Sequence, residues 1–121
     1  VVFLPFEGDR DRLADLYAAV DLCITPGPNE TFGLAALEAM ASGIPVLAAD
    51  QGGVAESVSL SGAGRCYAAH DAGHFAECAV QMLAEDLPRL GRTGRAYVET
   101  HHRWSMVFDR LFDVYRDVAA G

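Results

Sequence analysis

The chain has 121 residues, of which 51% are hydrophobic and 21% charged, a composition typical of one soluble globular unit with enough apolar material for a core. Its net charge of -8 argues against binding to nucleic acid or to an anionic membrane surface, since both favour basic proteins. Three widely separated cysteines, Cys23, Cys66 and Cys78, indicate reduced thiols in a cytosolic protein rather than disulfides. No long apolar run or leader is present, so these residues are not expected to span a membrane or direct export.

Strands and helices are predicted to alternate over the first half of the chain. Residues 1–6 are apolar and rich in strand formers, which predicts a buried strand, and Asp9 or Asp11 then caps a helix that extends to Val20. Residues 21–25 and 45–49 are the next strands, on either side of a helix over residues 34–41 that ends at Gly43. Glu56 begins a short helical turn, and residues 65–69 are a short strand. This alternation predicts a parallel sheet.

The second half of the chain is predicted to be helical. A helix begins after Asp71 and breaks at residues 86–88, and two more cover about residues 88–101 and 105–119. Trp104 is interpreted as a packing anchor. The last helix has four apolar residues spaced for packing: Val107, Leu111, Val114 and Val118.

The helix over residues 34–41 carries the main functional signal. Every residue in it is apolar except Glu38, so the sequence predicts a nearly buried helix with one polar stripe. No Lys or Arg lies between Val20 and Arg65 to pair with Glu38 locally, but a ligand with hydroxyl donors would satisfy the carboxylate. Glu30 lies eight positions earlier, roughly 12 Å away in a helix. That is about the span from a sugar to a ribose across a diphosphate.

The start of this helix lies between the two carboxylates. The backbone N–H groups of Phe32, Gly33 and Leu34 offer an anion site there, and Gly33 lets a ligand come close. The spacing also fits a purely structural alternative. In that case Glu30 is favoured by the helix dipole and Glu38 is hydrogen-bonded by its own neighbours.

Two segments resemble a known family. Residues 26–34, PGPNETFGL, and residues 37–46, LEAMASGIPV, are similar to the motif of two Glu separated by seven residues in family 4 retaining glycosyltransferases with the GT-B fold. The similarity continues into residues 50–56, DQGGVAE, which resemble the Gly-Gly loop of the family, and to Trp104 and Tyr115 in its closing helix. The resemblance therefore implies an α/β fold, a Rossmann-like parallel sheet with flanking helices from the C-terminal domain of a GT-B enzyme.

The resemblance also implies an activity and roles for individual residues. Family members transfer a sugar from a nucleoside diphosphate sugar to a hydroxyl of a glycan, lipid or small-molecule acceptor, with retention of configuration. By resemblance Glu30 is the candidate catalytic residue and binds a sugar hydroxyl, whereas Glu38 binds the ribose diol. Gly52 and Gly53 either line the sugar end of the site or only form a turn. The implied donor-binding residues are Glu30, Phe32, Gly33, Leu34, Glu38, Gly52 and Gly53.

No metal ion or other cofactor is expected. His70 precedes the predicted cap Asp71 and so would not share a helical face with His74, and the family generally works without a bound metal ion. A cytoplasmic location is expected. Association with the inner face of the membrane would be carried by an N-terminal domain outside these residues.

The resemblance suggests that residues 1–121 are part of a nucleotide-sugar-binding domain. Residues 1–6 then correspond to its third strand, and the first two strands, the phosphate-binding Arg and Lys of the family and the acceptor-binding N-terminal domain are absent. Two other functions stay open. One is a nucleotide-sugar epimerase with the same fold, and the other is a degenerate nucleotide-sugar-binding or partner subunit without turnover.

Overall fold

The computed structural model describes residues 1–121 and contains three strands and six helices. Helices and strands alternate over the first half of the chain and three helices complete it, as predicted. The elements in chain order are α1 (Arg10–Ala18), β1 (Cys23–Thr25), α2 (Leu34–Ala41), β2 (Val46–Ala49), α3 (Gly53–Ser61), β3 (Gly64–Tyr67), α4 (Ala72–Leu83), α5 (Leu87–His101) and α6 (Trp104–Ala120).

The three strands form one parallel sheet in the order β1-β2-β3. Val46 of the central strand pairs with Cys23 on one side and with Gly64 on the other. All four residues of β2 are buried, because helices cover both faces of the sheet. On one face α2 and α3 contribute Met40, Val54 and Val58 to a core cluster, and on the other α4 and α5 contribute Cys78, Met82 and Leu90.

Most of the predicted helix boundaries are confirmed. Asp9 caps α1 by accepting from two backbone N–H groups, and Asp71 caps α4 by accepting from the N–H of His74 at 2.9 Å. Helix α2 covers the predicted residues, and Gly43 follows it at a φ of 79°. Helix α3 is longer than predicted, since it begins three residues before Glu56.

The predicted strand at residues 1–6 is wrong. These residues form no strand, and all five of the aliphatic and aromatic side chains are exposed: Val1, Val2, Phe3, Leu4 and Phe6. A strand needs a hydrogen-bonded neighbour, but the three strands of the sheet pair only with one another. Apolar composition alone therefore does not make this segment a strand, because strand formation also requires a pairing partner.

The predicted packing of the last helix is also wrong. Helix α6 has no buried residue, and its contacts with the rest of the chain run mainly to α5. Trp104 is 73% exposed and stacks on Phe108 of the same helix rather than anchoring a core. The apolar spacing predicts a stripe on one face, but burial of that stripe requires a neighbour. None of the six helices is long and apolar enough to cross a membrane.

Candidate functional site

The loop between β1 and α2 forms the centre of the candidate site. It begins at Pro26, where β1 ends, and ends at Gly33, which precedes α2 in the left-handed conformation with φ 78° and ψ 50°. No side chain caps α2, and the backbone N–H groups of Phe32 and Leu34 find no acceptor in the chain. The end of the helix therefore presents free N–H donors and the positive end of the helix dipole, a combination that favours an anion.

Glu30 folds back onto this loop. Its carboxylate Oε1 accepts from the N–H of Gly33 at 3.3 Å, while its other carboxylate oxygen has no partner. Its main-chain carbonyl accepts from the N–H of Gly53 at 3.0 Å. The side chain is exposed, and no Arg or His pairs with it. Glu30 is therefore held beside the start of α2 with one oxygen free to accept from a ligand.

Glu38 lies on the exposed face of α2, which corrects the expectation that a nearly buried helix encloses it. Four residues of the helix are buried, but Glu38 lies on the opposite face, together with Leu34 and Ala35. The hydroxyl of Tyr17 in α1 donates to Glu38 Oε2 at 3.5 Å. Burial and the neighbouring carboxylate raise the pKa of Tyr17 to about 12, so its O–H remains a donor at neutral pH.

Gly52 and Gly53 pack directly against the Glu30 loop. Gly52 has φ 81°, and a Cβ at that position would lie 2.5 Å from the carbonyl oxygen of Glu30. A Cβ at Gly53 would overlap the carbonyl oxygen of Thr31. Both glycines are therefore required for close packing of two loops, whichever ligand the site binds. Contact of Gly52 and Gly53 with a sugar remains a prediction.

A cavity of about 260 Å³ opens at the carboxyl end of β1, where open parallel sheets bind their ligands. Glu30, Gly33 and Val54 line it, together with Thr25 at the end of the strand. Thr25 was not singled out from the sequence. Its Oγ1 is buried without a hydrogen-bond partner, and its position directly before the loop that begins at Pro26 is the sequence signal that could have found it.

A mainly apolar groove of about 300 Å³ runs beside α2 toward the end of α5. Phe32, Leu34 and Glu38 form one side, and His102 and Trp104 form the other. His102 directly follows α5 as its C-cap residue. Its Nε2 is buried without a partner, and burial, more than the neighbouring His101 and Arg110, lowers its pKa.

The structure contains no group of three His, Cys, Asp or Glu side chains that could hold a metal ion. The Nδ1 of His74 accepts from the N–H of Ala68 at 2.9 Å, so one of its ring nitrogens is already used. The three cysteines form no disulfide, and burial raises the pKa of the Cys23 and Cys66 thiols.

Residues 1–85 match the family described as Glycosyl transferases group 1. The chain is 42% identical over 110 residues to D-inositol 3-phosphate glycosyltransferase 2 of Catenulispora acidiphila, a match that covers 88% of this chain and 25% of that protein. It is 43% identical over 117 residues to D-inositol 3-phosphate glycosyltransferase of Nocardia farcinica, covering 95% and 26%. The chain thus spans about a quarter of the length of the curated relatives it matches.

Two solved structures have a similar fold. Sucrose-phosphate synthase from Thermosynechococcus elongatus aligns with a TM-score of 0.81 and 33% identity, over 91% of this chain and 28% of that chain. The C-terminal domain of a glycosyl transferase group 1 family protein from Francisella tularensis aligns with a TM-score of 0.70 and 26% identity, over 84% and 53%. The predicted α/β fold is therefore confirmed: a Rossmann-like parallel sheet with flanking helices, as in the C-terminal domain of GT-B glycosyltransferases. The chain belongs to the family of Glycosyl transferases group 1.

Proposed function

We propose that this site binds the nucleoside diphosphate sugar of a retaining glycosyltransferase, which transfers the sugar, a hexose, to an acceptor hydroxyl. The observation that carries the proposal is the pair of carboxylates on either side of free backbone N–H groups at the start of α2. In the donor, a sugar hydroxyl, the diphosphate and the ribose hydroxyls follow one another. Carboxylate, N–H groups and carboxylate follow one another in the chain, so each part of the ligand has a matching partner.

The three parts of the site then have distinct roles. Glu38 accepts from the ribose diol, and the free N–H groups of Phe32 and Leu34 donate to the diphosphate. Glu30, whose Oε1 is held by the Gly33 N–H, accepts from a sugar hydroxyl with its free oxygen. As the bond to the anomeric carbon breaks, negative charge develops on the leaving phosphate. Donors that are already oriented toward that position stabilise this charge in the transition state.

The candidate site itself supplies little positive charge to a dianionic ligand. No Arg lines the cavity or the groove, and the chain contains no Lys. Further neutralisation of the diphosphate is therefore expected from Arg and Lys side chains outside these residues, and no metal ion is part of the proposal. The acceptor is proposed by class only, as a hydroxyl of a glycan, lipid or small molecule, and the protein is proposed to act in the cytoplasm.

Titration of UDP, GDP and ADP against the intact protein tests the proposal. We expect one of them to bind, and Glu38→Ala to weaken that binding by roughly tenfold, as for loss of hydrogen bonds to a charged group. The melting temperature should change little, because Glu38 is exposed. Glu77→Ala is the matched control, since Glu77 is an exposed glutamate of α4, on the face of the sheet opposite α2.

Two outcomes would contradict the proposal. If none of the three diphosphates binds, the site is not a donor site. If Glu38→Ala and Glu77→Ala weaken binding equally, the effect is one of general charge and the ribose role of Glu38 fails. Retention of configuration is checked separately, by NMR of the anomeric proton in the product.

A further inference from the structure

Tyr17 is the one side chain of the protein that hydrogen-bonds the carboxylate of Glu38. It lies on α1, twenty-one positions earlier in the sequence, and its hydroxyl donates to Glu38 Oε2 at 3.5 Å. Glu38 forms no ion pair, and its other carboxylate oxygen has no partner. This contact links Tyr17, which has no role of its own in the proposed function, to Glu38, one of the two carboxylates on which that function depends.

Tyr17 is well suited to hold a carboxylate in one orientation. Its side chain packs against the core cluster formed by α2, β2 and α3, so the position of its hydroxyl is determined by packing. Burial, followed by the charge of Glu38, raises the pKa of Tyr17 to about 12. The hydroxyl is consequently a neutral donor throughout the physiological pH range.

An exposed glutamate without such a partner has several side-chain rotamers and loses that freedom when it binds a ligand. A donor fixed on one carboxylate oxygen reduces this loss. At 3.5 Å the Tyr17 contact is long for an O–H···O bond. Such contacts near a binding site are often long in the free protein and shorten when the ligand is bound.

We propose that Tyr17 is a positioning residue for the Glu38 carboxylate: its hydroxyl holds Oε2, so that Oε1 is directed to accept from the ribose diol of the nucleotide. The inference rests on the proposed function, because it requires that Glu38 binds a ribose. Tyr17 itself touches no ligand atom. It affects binding only through Glu38 and only where the ligand has ribose hydroxyls.

A double-mutant cycle in the intact protein tests the inference. Affinity is measured for wild type, Tyr17→Phe, Glu38→Ala and the double variant, each with the nucleoside diphosphate that binds and with its 2′,3′-dideoxy analogue. Tyr17→Phe keeps the ring and removes only the donor. We expect it to weaken binding of the ribonucleotide about fivefold, as for loss of one hydrogen bond. It should have no effect on the dideoxy analogue or in the Glu38→Ala background.

Tyr97→Phe serves as the matched control, since the Tyr97 hydroxyl donates no hydrogen bond and its ring stacks on His101. The melting temperature of each variant is recorded in parallel. Tyr97→Phe should bind both nucleotides as wild type does.

Each other outcome overturns the inference. If wild type binds the nucleotide and Tyr17→Phe binds it equally well, Tyr17 has no positioning role and the proposed function stands. If Tyr17→Phe weakens binding of both nucleotides alike, or does so in the Glu38→Ala background, Tyr17 only supports the packing of α1 on α2. If wild type binds no nucleoside diphosphate, the proposed function fails and the inference fails with it.

Discussion

Gly33 is the residue on which the shape of the candidate site depends most directly. It is buried and has φ 78°, a backbone conformation that residues with a Cβ rarely adopt. A Cβ at this position would also overlap the Cγ2 atom of Val54 in α3. From the sequence, Gly33 was predicted to let a ligand come close. The structure adds a second requirement, because the absence of a side chain lets α3 pack against the start of α2.

Gly33→Ala should destabilise the protein by about 3 kcal/mol, the sum of backbone strain and of a steric overlap. Gly43→Ala is the matched control, since Gly43 has nearly the same φ, 79°, but no atom within 4 Å of an added Cβ. It should cost only about 1–2 kcal/mol. Denaturant unfolding of both variants measures the difference. Equal losses would mean that Val54 moves aside at no cost and that the overlap does not matter.

Three of the six helices start with a side-chain cap, whereas α2, α3 and α6 do not. Asp9, Asp71 and Asp86 cap α1, α4 and α5 with side-chain hydrogen bonds. Helices α2 and α3, which begin beside the Glu30 loop, instead start after Gly33 and Gly52 without a side-chain cap. A capping side chain would occupy the N–H groups that an anionic ligand needs. The uncapped starts therefore suit the proposed binding role.

Asp71→Ala should cost about 1 kcal/mol of unfolding free energy, because the N–H of His74 loses its acceptor at the start of α4. Nucleotide binding should not change, since α4 packs on the face of the sheet opposite α2. Asp117→Ala, in the exposed helix α6, is the control and should shift stability by less than about 0.5 kcal/mol. A loss of nucleotide affinity in Asp71→Ala would show that α4 contributes to the site.

The molecule as a whole is built on the central strand β2. Its residues alternate between the two core clusters, with Val46 and Ala48 facing α2 and α3, and Leu47 and Ala49 facing α4 and α5. Few residues are buried elsewhere, and α6 and residues 1–6 add nothing to either core. The stability of the site therefore depends on the packing of α2 and α3 on one face of this strand and of α4 and α5 on the other.

Leu47→Ala should destabilise the protein by about 3 kcal/mol, because Leu47 is completely buried and its removal leaves a cavity. Leu60→Ala is the matched substitution at a position that is 66% exposed, and should cost less than about 0.5 kcal/mol. Denaturant titration followed by circular dichroism measures both. Similar losses at the two positions would contradict the assignment of the core to β2.

Local patterns predicted the elements closest to the site with good accuracy. The boundaries of α2 followed from its apolar run and the terminating Gly43, and the caps of α1 and α4 followed from Asp9 and Asp71. For Glu38 and α6 the predicted helices are correct, but the predicted burial of their side chains is wrong. Whether an apolar stripe is covered depends on neighbouring elements, including those far away in sequence. The strand predicted at residues 1–6 failed for the same reason, since strand pairing is a non-local property.

The sequence by itself determined the linear order of the site: a carboxylate at Glu30, N–H groups at the start of a helix and a second carboxylate at Glu38. These features depend on helix geometry and on interactions within a few residues. Only the tertiary structure decided that Gly52 and Gly53 lie against the Glu30 loop and that Tyr17 reaches Glu38. Contacts between residues twenty or more positions apart depend on how helices and strands pack on a common core, and no local pattern specifies that packing.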